Sequence, residues 1–159
     1  MKLTTKGRYA VTAMADIAAS GVKGAVSISD ISLRQGISDS YLEQLLGKLR
    51  RAGLLESVRG ASGGYRLARE ARNIRVADVV DAVDEEIKTT ACNPATSKGC
   101  LGSSARCLTH DLWDELGRQI DIFLNAVSLE DVVERRVLGM AAINTPERPK
   151  TVEMEDALS

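Results

Sequence analysis

The chain has 159 residues, of which 44% are hydrophobic and 3% aromatic, and a formal net charge of −1. It is long enough for one domain with its own core, or for a small domain with an appendage, and that core must be built from aliphatic side chains. No apolar run approaches the roughly 20 residues that cross a bilayer, and the start lacks the apolar segment of a signal peptide, so we expect a cytoplasmic protein outside the membrane.

Charge is distributed unevenly along the chain. Residues 1–72 contain 12 Lys and Arg against 6 Asp and Glu, whereas residues 73–159 contain 9 against 16. The first half therefore attracts polyanions and the second half repels them. This split is typical of a nucleic-acid-binding half joined to a half with another task. Accidental sorting of surface charge is the alternative that the counts leave open.

The N-terminal residues predict two helices. Thr4 or Thr5 can cap a helix rich in Ala, the strongest helix former, and Gly21 is placed to end it. Ser27 begins a Ser-x-x-Asp pattern, which marks the start of a shorter second helix that Gly36 breaks. The second helix and its Gly36 turn form the first part of a helix-turn-helix if a longer helix follows.

A longer amphipathic helix is predicted over residues 39–52, with Ser38 as its N-cap and Gly53 at its end. Its buried stripe consists of leucines at helical spacing: Leu42, Leu45, Leu46 and Leu49. The opposite face carries polar and basic side chains, and Ser, Gln and Glu can hydrogen bond to base edges. The pattern therefore predicts a recognition helix.

A β-hairpin is predicted directly after this helix. Residues 54–58 alternate like a strand, residues 59–64 form a turn rich in glycine, and residues 65–68 return. A helix-turn-helix followed by a hairpin is a winged helix, whose glycine turn lets backbone amides approach phosphates. Arg59 is long enough to enter a minor groove. We therefore expect double-stranded DNA as a partner.

Two kinds of DNA contact are expected. Polar side chains of the recognition helix would read bases, and arginines would neutralise phosphates, each adding about 0.9 to the salt dependence. Glu43 is unfavourable beside phosphates, so it either reads cytosine or discriminates against wrong sites. The candidate DNA-binding residues are Ser38, Ser40, Glu43, Gln44, Lys48, Arg50, Arg51, Arg59, Gly60 and Ser62, with Arg66, Arg69 and Arg72 as further phosphate contacts. A helix-turn-helix that only packs or binds protein is the alternative.

The second half predicts a packing helix, a long loop and a long helix. Residues 74–83 should pack on the first helix, and a helix from about residue 109 has apolar residues near a 3.5-residue repeat, which favours pairing in a homodimer. The expected fold class is mainly α with a small β-hairpin: a winged helix-turn-helix domain plus a long dimerisation helix. Its parts are a DNA-binding domain at 1–84, a cluster-binding loop at 85–110, a dimerisation helix and short final helix at 111–138, and a mobile tail at 139–159.

The long loop contains every cysteine and the only histidine of the chain. They are Cys92, Cys100, Cys107 and His110, in the pattern C-x7-C-x6-C-x2-H. Three thiols and one imidazole form a donor set that suits an iron–sulfur cluster or tetrahedral zinc. The wide spacing does not decide between these two, and a thiol redox switch or an unliganded loop also stays open. An enzyme is not indicated, because no catalytic constellation accompanies the single histidine.

Several segments together resemble one family, the IscR family of iron–sulfur cluster regulators. They are MKLTTKGRYAV at the start, GISDSYLEQL in the recognition helix, VRG and GGY in the hairpin, and CLTH at the end of the cysteine pattern. The similarity covers about residues 1–135. It implies a homodimeric winged-helix transcription factor that binds a [2Fe–2S] cluster through Cys92, Cys100, Cys107 and His110, with cluster-assembly scaffold proteins as further partners.

The resemblance also implies how the DNA would be read and regulated. Ser40, Glu43 and Gln44 would meet bases, and Arg59 would lie in the minor groove. The cluster-loaded form would repress the operon for cluster assembly, whereas a second class of sites would be bound with or without cluster. Glu43 would disfavour one of the two classes in the cluster-free protein. The loop here is longer between its cysteines than in the best-known members.

Overall fold

The computed structural model describes residues 5–21, 24–84, 89 and 107–139. Their elements in chain order are α1 (Thr5–Ser20), α2 (Ile28–Gln35), α3 (Asp39–Arg51), β1 (Leu55–Val58), β2 (Gly64–Leu67), a 3₁₀ turn (Ala71–Asn73), α4 (Val76–Ala82), α5 (His110–Ala126) and α6 (Leu129–Val133). This arrangement confirms the fold class predicted from the sequence. Cys92, Cys100 and the tail beyond residue 139 lie outside the described residues, so the predictions made for them are not addressed by the structure.

The helix-turn-helix has the boundaries that its local sequence predicts. The hydroxyl of Ser27 accepts a hydrogen bond from the backbone N–H of Asp30 at 3.1 Å, and Gly36 ends α2 with a left-handed φ of 66°. Ser38 occupies the N-cap position of α3, as predicted, and its carbonyl accepts a hydrogen bond from the N–H of Leu42 at 3.0 Å. Its side chain makes no capping hydrogen bond.

The core lies between α1, the helix-turn-helix and the hairpin. The four α3 leucines are at most 2% exposed, and Ala13, Met14 and Ile17 of α1 belong to the same buried cluster. On its other side, α1 contacts α4 and α6. The predicted packing of the fourth helix on the first is thus confirmed. The helix itself begins two residues later than predicted, at Val76, because Ile74 and Arg75 are extended and pair with the chain around Ser128.

A buried carboxylate joins α1 to α2. The Asp16 side chain is only 3% exposed and accepts hydrogen bonds from Arg34 Nε at 3.0 Å, Arg34 Nη2 at 2.6 Å and Gln35 Nε2 at 2.6 Å. Burial by itself would raise the pKa of Asp16, but these hydrogen bonds and the charge of Arg34 outweigh it and hold the pKa below its ordinary value of 3.8. Asp16 therefore stays ionised and fixes the helix-turn-helix on α1.

The chain that follows α5 is pinned to the chain that precedes α4. The N–H of Val76 donates to the carbonyl of Val127 at 3.0 Å, and the N–H of Leu129 donates to the carbonyl of Ile74 at 2.8 Å. We call these two hydrogen bonds the clasp. The clasp therefore holds the start of α4 beside the chain that follows α5.

The helix α5 packs on α4 through its C-terminal part. Phe123 and Leu124 lie against Val76 and Val80 of α4, yet none of the 17 residues of α5 is buried. Leu112, Trp113 and Ile122 are 61%, 44% and 61% exposed. The predicted apolar stripe of this helix is therefore divided, since its C-terminal part packs within the chain and its N-terminal part is exposed. Among the residues that the structure describes, no helix is long and apolar enough to span a membrane.

Candidate DNA interface and ligand segment

The exposed face of α3 is polar and makes few contacts with the rest of the chain. Ser38, Ser40, Glu43 and Gln44 are all exposed, on the side opposite the buried leucines. Within the described ranges, none of these four side chains hydrogen bonds or forms an ion pair with another residue. Side chains with unused donors and acceptors on a protruding helix are suited to hydrogen bonding with base edges.

A shallow groove of about 420 Å³ lies beside this face, between the N-terminus of α1 and the start of α3. Its lining is Thr5, Tyr9, Gly36, Ile37, Ser38, Ser40, Tyr41 and Gln44. Tyr9 and Tyr41 meet edge to face with their ring centroids 5.9 Å apart. This contact fixes the end of α1 against α3, so the side chains around the groove are held in place by packing rather than by a loop.

The wing consists of β1, β2 and the turn at residues 59–63. Its strands pair in antiparallel register, with Leu55 opposite Leu67 and Val58 opposite Gly64. Tyr65 also exchanges two 2.8 Å backbone hydrogen bonds with Val26, which lies just before α2. The wing is therefore hydrogen bonded to the chain that leads into the helix-turn-helix.

Glycine is required at the root of the wing. Gly64 has a φ of +154°, and a Cβ atom there would lie 2.2 Å from the carbonyl oxygen of Val26. A Cβ on Gly63 would lie 2.5 Å from the carbonyl oxygen of Val58. These close approaches exclude any side chain. The turn that they support presents Arg59, Gly60 and Ser62 as exposed residues at its tip.

The cationic residues around these elements fall into two groups. Some are already paired with a carboxylate: Arg66 with Glu56 at 2.8 Å, Arg69 with Asp78 at 3.2 Å, Arg72 with Glu70 at 2.9 Å and Lys48 with Asp84 at 2.6 Å. The others, Arg50, Arg51 and Arg59, form no ion pair within the part of the chain that the structure describes. All three are exposed. They are the arginines that can meet phosphates without first breaking an internal pair.

The ligand segment, residues 85–110, is described at its C-terminal end. His110 is the first residue of α5, one residue after the start that the sequence predicts, and its N–H donates to the carbonyl of Cys107 at 3.1 Å. The two are half-buried, and Cys107 Sγ lies 3.7 Å from Thr109 Oγ1. The structure thus brings two of the four candidate ligands into one turn at the start of α5. Because Cys92 and Cys100 are not among the described residues, the complete set is not placed.

One residue beside the recognition helix was not indicated by the sequence. Asp84 follows α4, has a left-handed φ of 55° and pairs with Lys48 of α3 across 36 positions of the chain. Its carbonyl also accepts a hydrogen bond from Lys6 Nζ at 3.1 Å. No local pattern announces such a pair. In the sequence Asp84 lies among other acidic residues at positions 81–86, so composition does not single it out either.

Comparison with known proteins agrees with this geometry. The Rrf2 family model, described as an iron-dependent transcriptional regulator, matches residues 3–135. The transcriptional regulator IscR of Xenorhabdus nematophila is 50% identical over 152 residues, which cover 95% of this chain and 91% of the relative. IscR of Vibrio atlanticus is 54% identical over 134 residues, covering 84% and 76%.

Solved structures share the fold over most of its length. IscR of T. potens has a TM-score of 0.68 at 35% identity, covering 92% of this chain and 93% of that one. CymR, the global cysteine regulator of B. subtilis, has a TM-score of 0.71 at 30% identity, covering 85% and 98%. These matches extend through the helix-turn-helix, the wing and α5. The chain belongs to the Rrf2 family and is a DNA-binding transcriptional regulator rather than an enzyme.

Proposed function

We propose that this regulator reads DNA with α3 and the wing and that an iron–sulfur cluster on the ligand segment controls it. The observation that carries the proposal is the position of Cys107 and His110 in the turn that begins α5, where the N–H of His110 donates to the carbonyl of Cys107, in a protein whose α3 presents an exposed polar face. The family description as iron-dependent and the relatives named IscR support the same reading.

The donor atoms suit a [2Fe–2S] cluster. Such a cluster needs four protein ligands, and the ligand segment supplies the thiols of Cys92, Cys100 and Cys107 and the imidazole of His110. The half-buried position of Cys107 leaves its sulfur accessible to a metal. When bound, the cluster would supply a centre that responds to iron supply and to oxidants. Zinc accepts the same donors and is the second candidate.

The DNA-reading roles follow from exposure and from the position of each residue. Ser40 and Gln44 lie one turn apart on the exposed face of α3, and neither side chain hydrogen bonds to another residue that the structure describes, so they are assigned to bases, with Ser38 beside them. Glu43 shares this face, and its carboxylate would penalise sites that offer it no donor. Arg50 and Arg51 are assigned to phosphates, and Arg59, Gly60 and Ser62 of the wing to the minor groove and its backbone.

The homodimer is assigned to α5. Leu112 and Trp113 are 61% and 44% exposed on a helix with no buried residue, and a partner helix would remove them from water. A two-fold pair of winged helices would place two α3 helices about one DNA turn apart, which favours near-palindromic sites.

The proposed regulatory cycle couples cluster ligation at the start of α5 to DNA binding by α3. Ligation of Cys107 and His110 would fix the start of α5, and through the dimer it would fix the spacing of the two recognition helices. By linkage, DNA that binds the loaded form more tightly must also retain the cluster. The loaded dimer would repress the operon for cluster assembly, and the cluster-free form would act at a second class of sites.

The test is to purify the protein without air and to measure iron, acid-labile sulfide and zinc. We expect visible absorption, with about two irons and two sulfides per chain. Cys107→Ala should abolish the absorption and the sulfide, whereas Thr109→Ala, which changes a neighbour outside the donor set, should retain both. Stoichiometric zinc without sulfide in the unchanged protein would refute the cluster and establish the second candidate instead.

A further inference from the structure

Asp84 contacts one lysine of α3 and one lysine of α1 in the DNA-binding domain. Its Oδ2 lies 2.6 Å from Nζ of Lys48 in α3, and its carbonyl oxygen lies 3.1 Å from Nζ of Lys6 in α1. The hydrogen bond from Lys48 lowers the pKa of Asp84, with further lowering by the charges of Lys48, Lys6 and Arg51 that outweighs its slight burial. Asp84 is therefore anionic at neutral pH.

We propose that Asp84 competes with DNA phosphates for Lys48 and so limits the affinity of this regulator for DNA of any sequence. The inference rests on the DNA interface proposed above. In this inference the Asp84 carboxylate acts as an internal substitute for a DNA phosphate, and it sets the affinity of the protein for DNA outside its operators.

The position of Lys48 supports this role. Lys48 lies one helical turn after Gln44 and one turn before Arg51, so it continues the exposed face of α3. Its side chain is 33% exposed, and its ammonium is directed to Asp84 rather than left in solvent. A phosphate that approaches Lys48 therefore competes with this carboxylate for the same ammonium group. If it did so, the ionised carboxylate would remain close to the DNA and repel it.

The pair is weak enough to be exchanged. Asp84 is 76% exposed, and solvent-accessible ion pairs contribute little to stability. Phosphates along a duplex can therefore displace the Asp84 carboxylate from Lys48. Because the ion pair must be broken first, the contact between Lys48 and phosphate adds less to the DNA affinity. Arg50 and Arg59 have no carboxylate partner among the described residues, and Arg51 interacts with Asp84 through its charge without forming an ion pair. Lys48 is therefore the contact that Asp84 regulates directly.

The opposite role predicts an effect of opposite sign. If Asp84 held Lys48 in the orientation that phosphate binding needs, removing its charge would weaken DNA binding. The sign of the change in affinity therefore separates competition from positioning. Asn is the suitable replacement, because it is nearly isosteric and it tolerates the left-handed φ of 55° at this position.

The experiment uses the full chain and a fluorescent duplex of about 30 base pairs of mixed sequence, with anisotropy measured from about 50 to 200 mM KCl. Asp84→Asn should tighten binding about two- to fivefold at the lowest salt. The slope of log K against log salt should steepen by about 0.9 per protomer bound. The matched control is Asp81→Asn, an exposed α4 aspartate that loses the same charge and has no side-chain partner among the described residues.

The variant Lys48→Met tests whether the effect of Asp84→Asn on DNA affinity depends on Lys48. In a chain that carries Lys48→Met, Asp84→Asn should change DNA affinity no more than Asp81→Asn does. The inference is overturned if Asp84→Asn weakens binding, matches Asp81→Asn in the unchanged chain, or keeps its full effect without Lys48. Arg51→Gln tests the interface separately: if it leaves affinity and salt slope unchanged, the assignment of α3 to DNA fails whatever the Asp84 variant does.

Discussion

The buried carboxylate of Asp16 gives a prediction with a defined pH dependence. Asp16→Asn removes the charge and one of two acceptor oxygens while keeping the size of the side chain. The three hydrogen bonds from Arg34 and Gln35 described above then lose an ionised acceptor, and an amide N–H₂ faces the guanidinium. Helix α2 should pack less firmly on α1 as a result.

The magnitude follows from the exposure of the two partners. Breaking a fully buried ion pair costs about 3–5 kcal/mol, but the Arg34 side chain is 41% exposed and can recover hydration. We therefore expect a loss of about 2–3 kcal/mol in the free energy of unfolding near neutral pH. Urea titrations at one fixed protein concentration measure it, since association changes apparent stability. Asp81→Asn is the control and should change the free energy of unfolding by less than about 0.5 kcal/mol.

The sign of the pH dependence follows from the lowered pKa of Asp16. A carboxyl group whose folded pKa lies below its unfolded value stabilises the folded state above the unfolded pKa. That contribution disappears as the pH falls through the folded pKa. The difference between the unchanged chain and Asp16→Asn should thus be constant from about pH 5 to 7 and shrink below about pH 4. A difference that grows in acid, or a variant equal to Asp81→Asn at neutral pH, would refute this account of the α1–α2 contact.

Two further predictions concern the wing and the dimer. Gly64→Ala should break the exchange of hydrogen bonds between Val26 and Tyr65 and cost at least about 2 kcal/mol, seen as faster hydrogen exchange of both amides. Ser62→Ala, at an exposed turn residue whose φ is not left-handed, should leave these amides protected; equal exchange in both variants would contradict the steric argument. Trp113→Lys should raise the dimer dissociation constant about 30-fold or more in sedimentation experiments, whereas Gln119→Lys should change it little. An unchanged dimer in Trp113→Lys would remove α5 as the interface.

Local rules were enough to predict the helix-turn-helix. Ser27, Gly36 and the leucine stripe of α3 act within one or two turns, so their consequences can be read from neighbouring residues. The glycine-rich pattern at residues 59–64 likewise predicted the wing. Ser38 shows the limit of such rules, because a residue of the right type at the N-cap does not guarantee the side-chain hydrogen bond.

Contacts between distant residues could not be predicted. The pairing of Val26 with Tyr65 and of Lys48 with Asp84 depends on how whole elements pack, and no residue within several turns signals either contact. The apolar stripe of α5 was predicted correctly as a pattern, but the sequence could not tell which part of it packs on α4 and which part stays exposed. Both parts consist of aliphatic and aromatic side chains, and only the fold distinguishes them.

The clasp joins the start of α4 to the chain after α5, and α4 itself packs on α1. Since Val76 is joined to Val127 and Ile74 to Leu129, adding or removing residues in the ligand segment would move neither the start of α4 nor the chain that follows α5. The ligand segment can therefore change in length or in donor set while the winged helix keeps its register. A fold of this kind allows one DNA-reading unit to be combined with ligand segments of different chemistry.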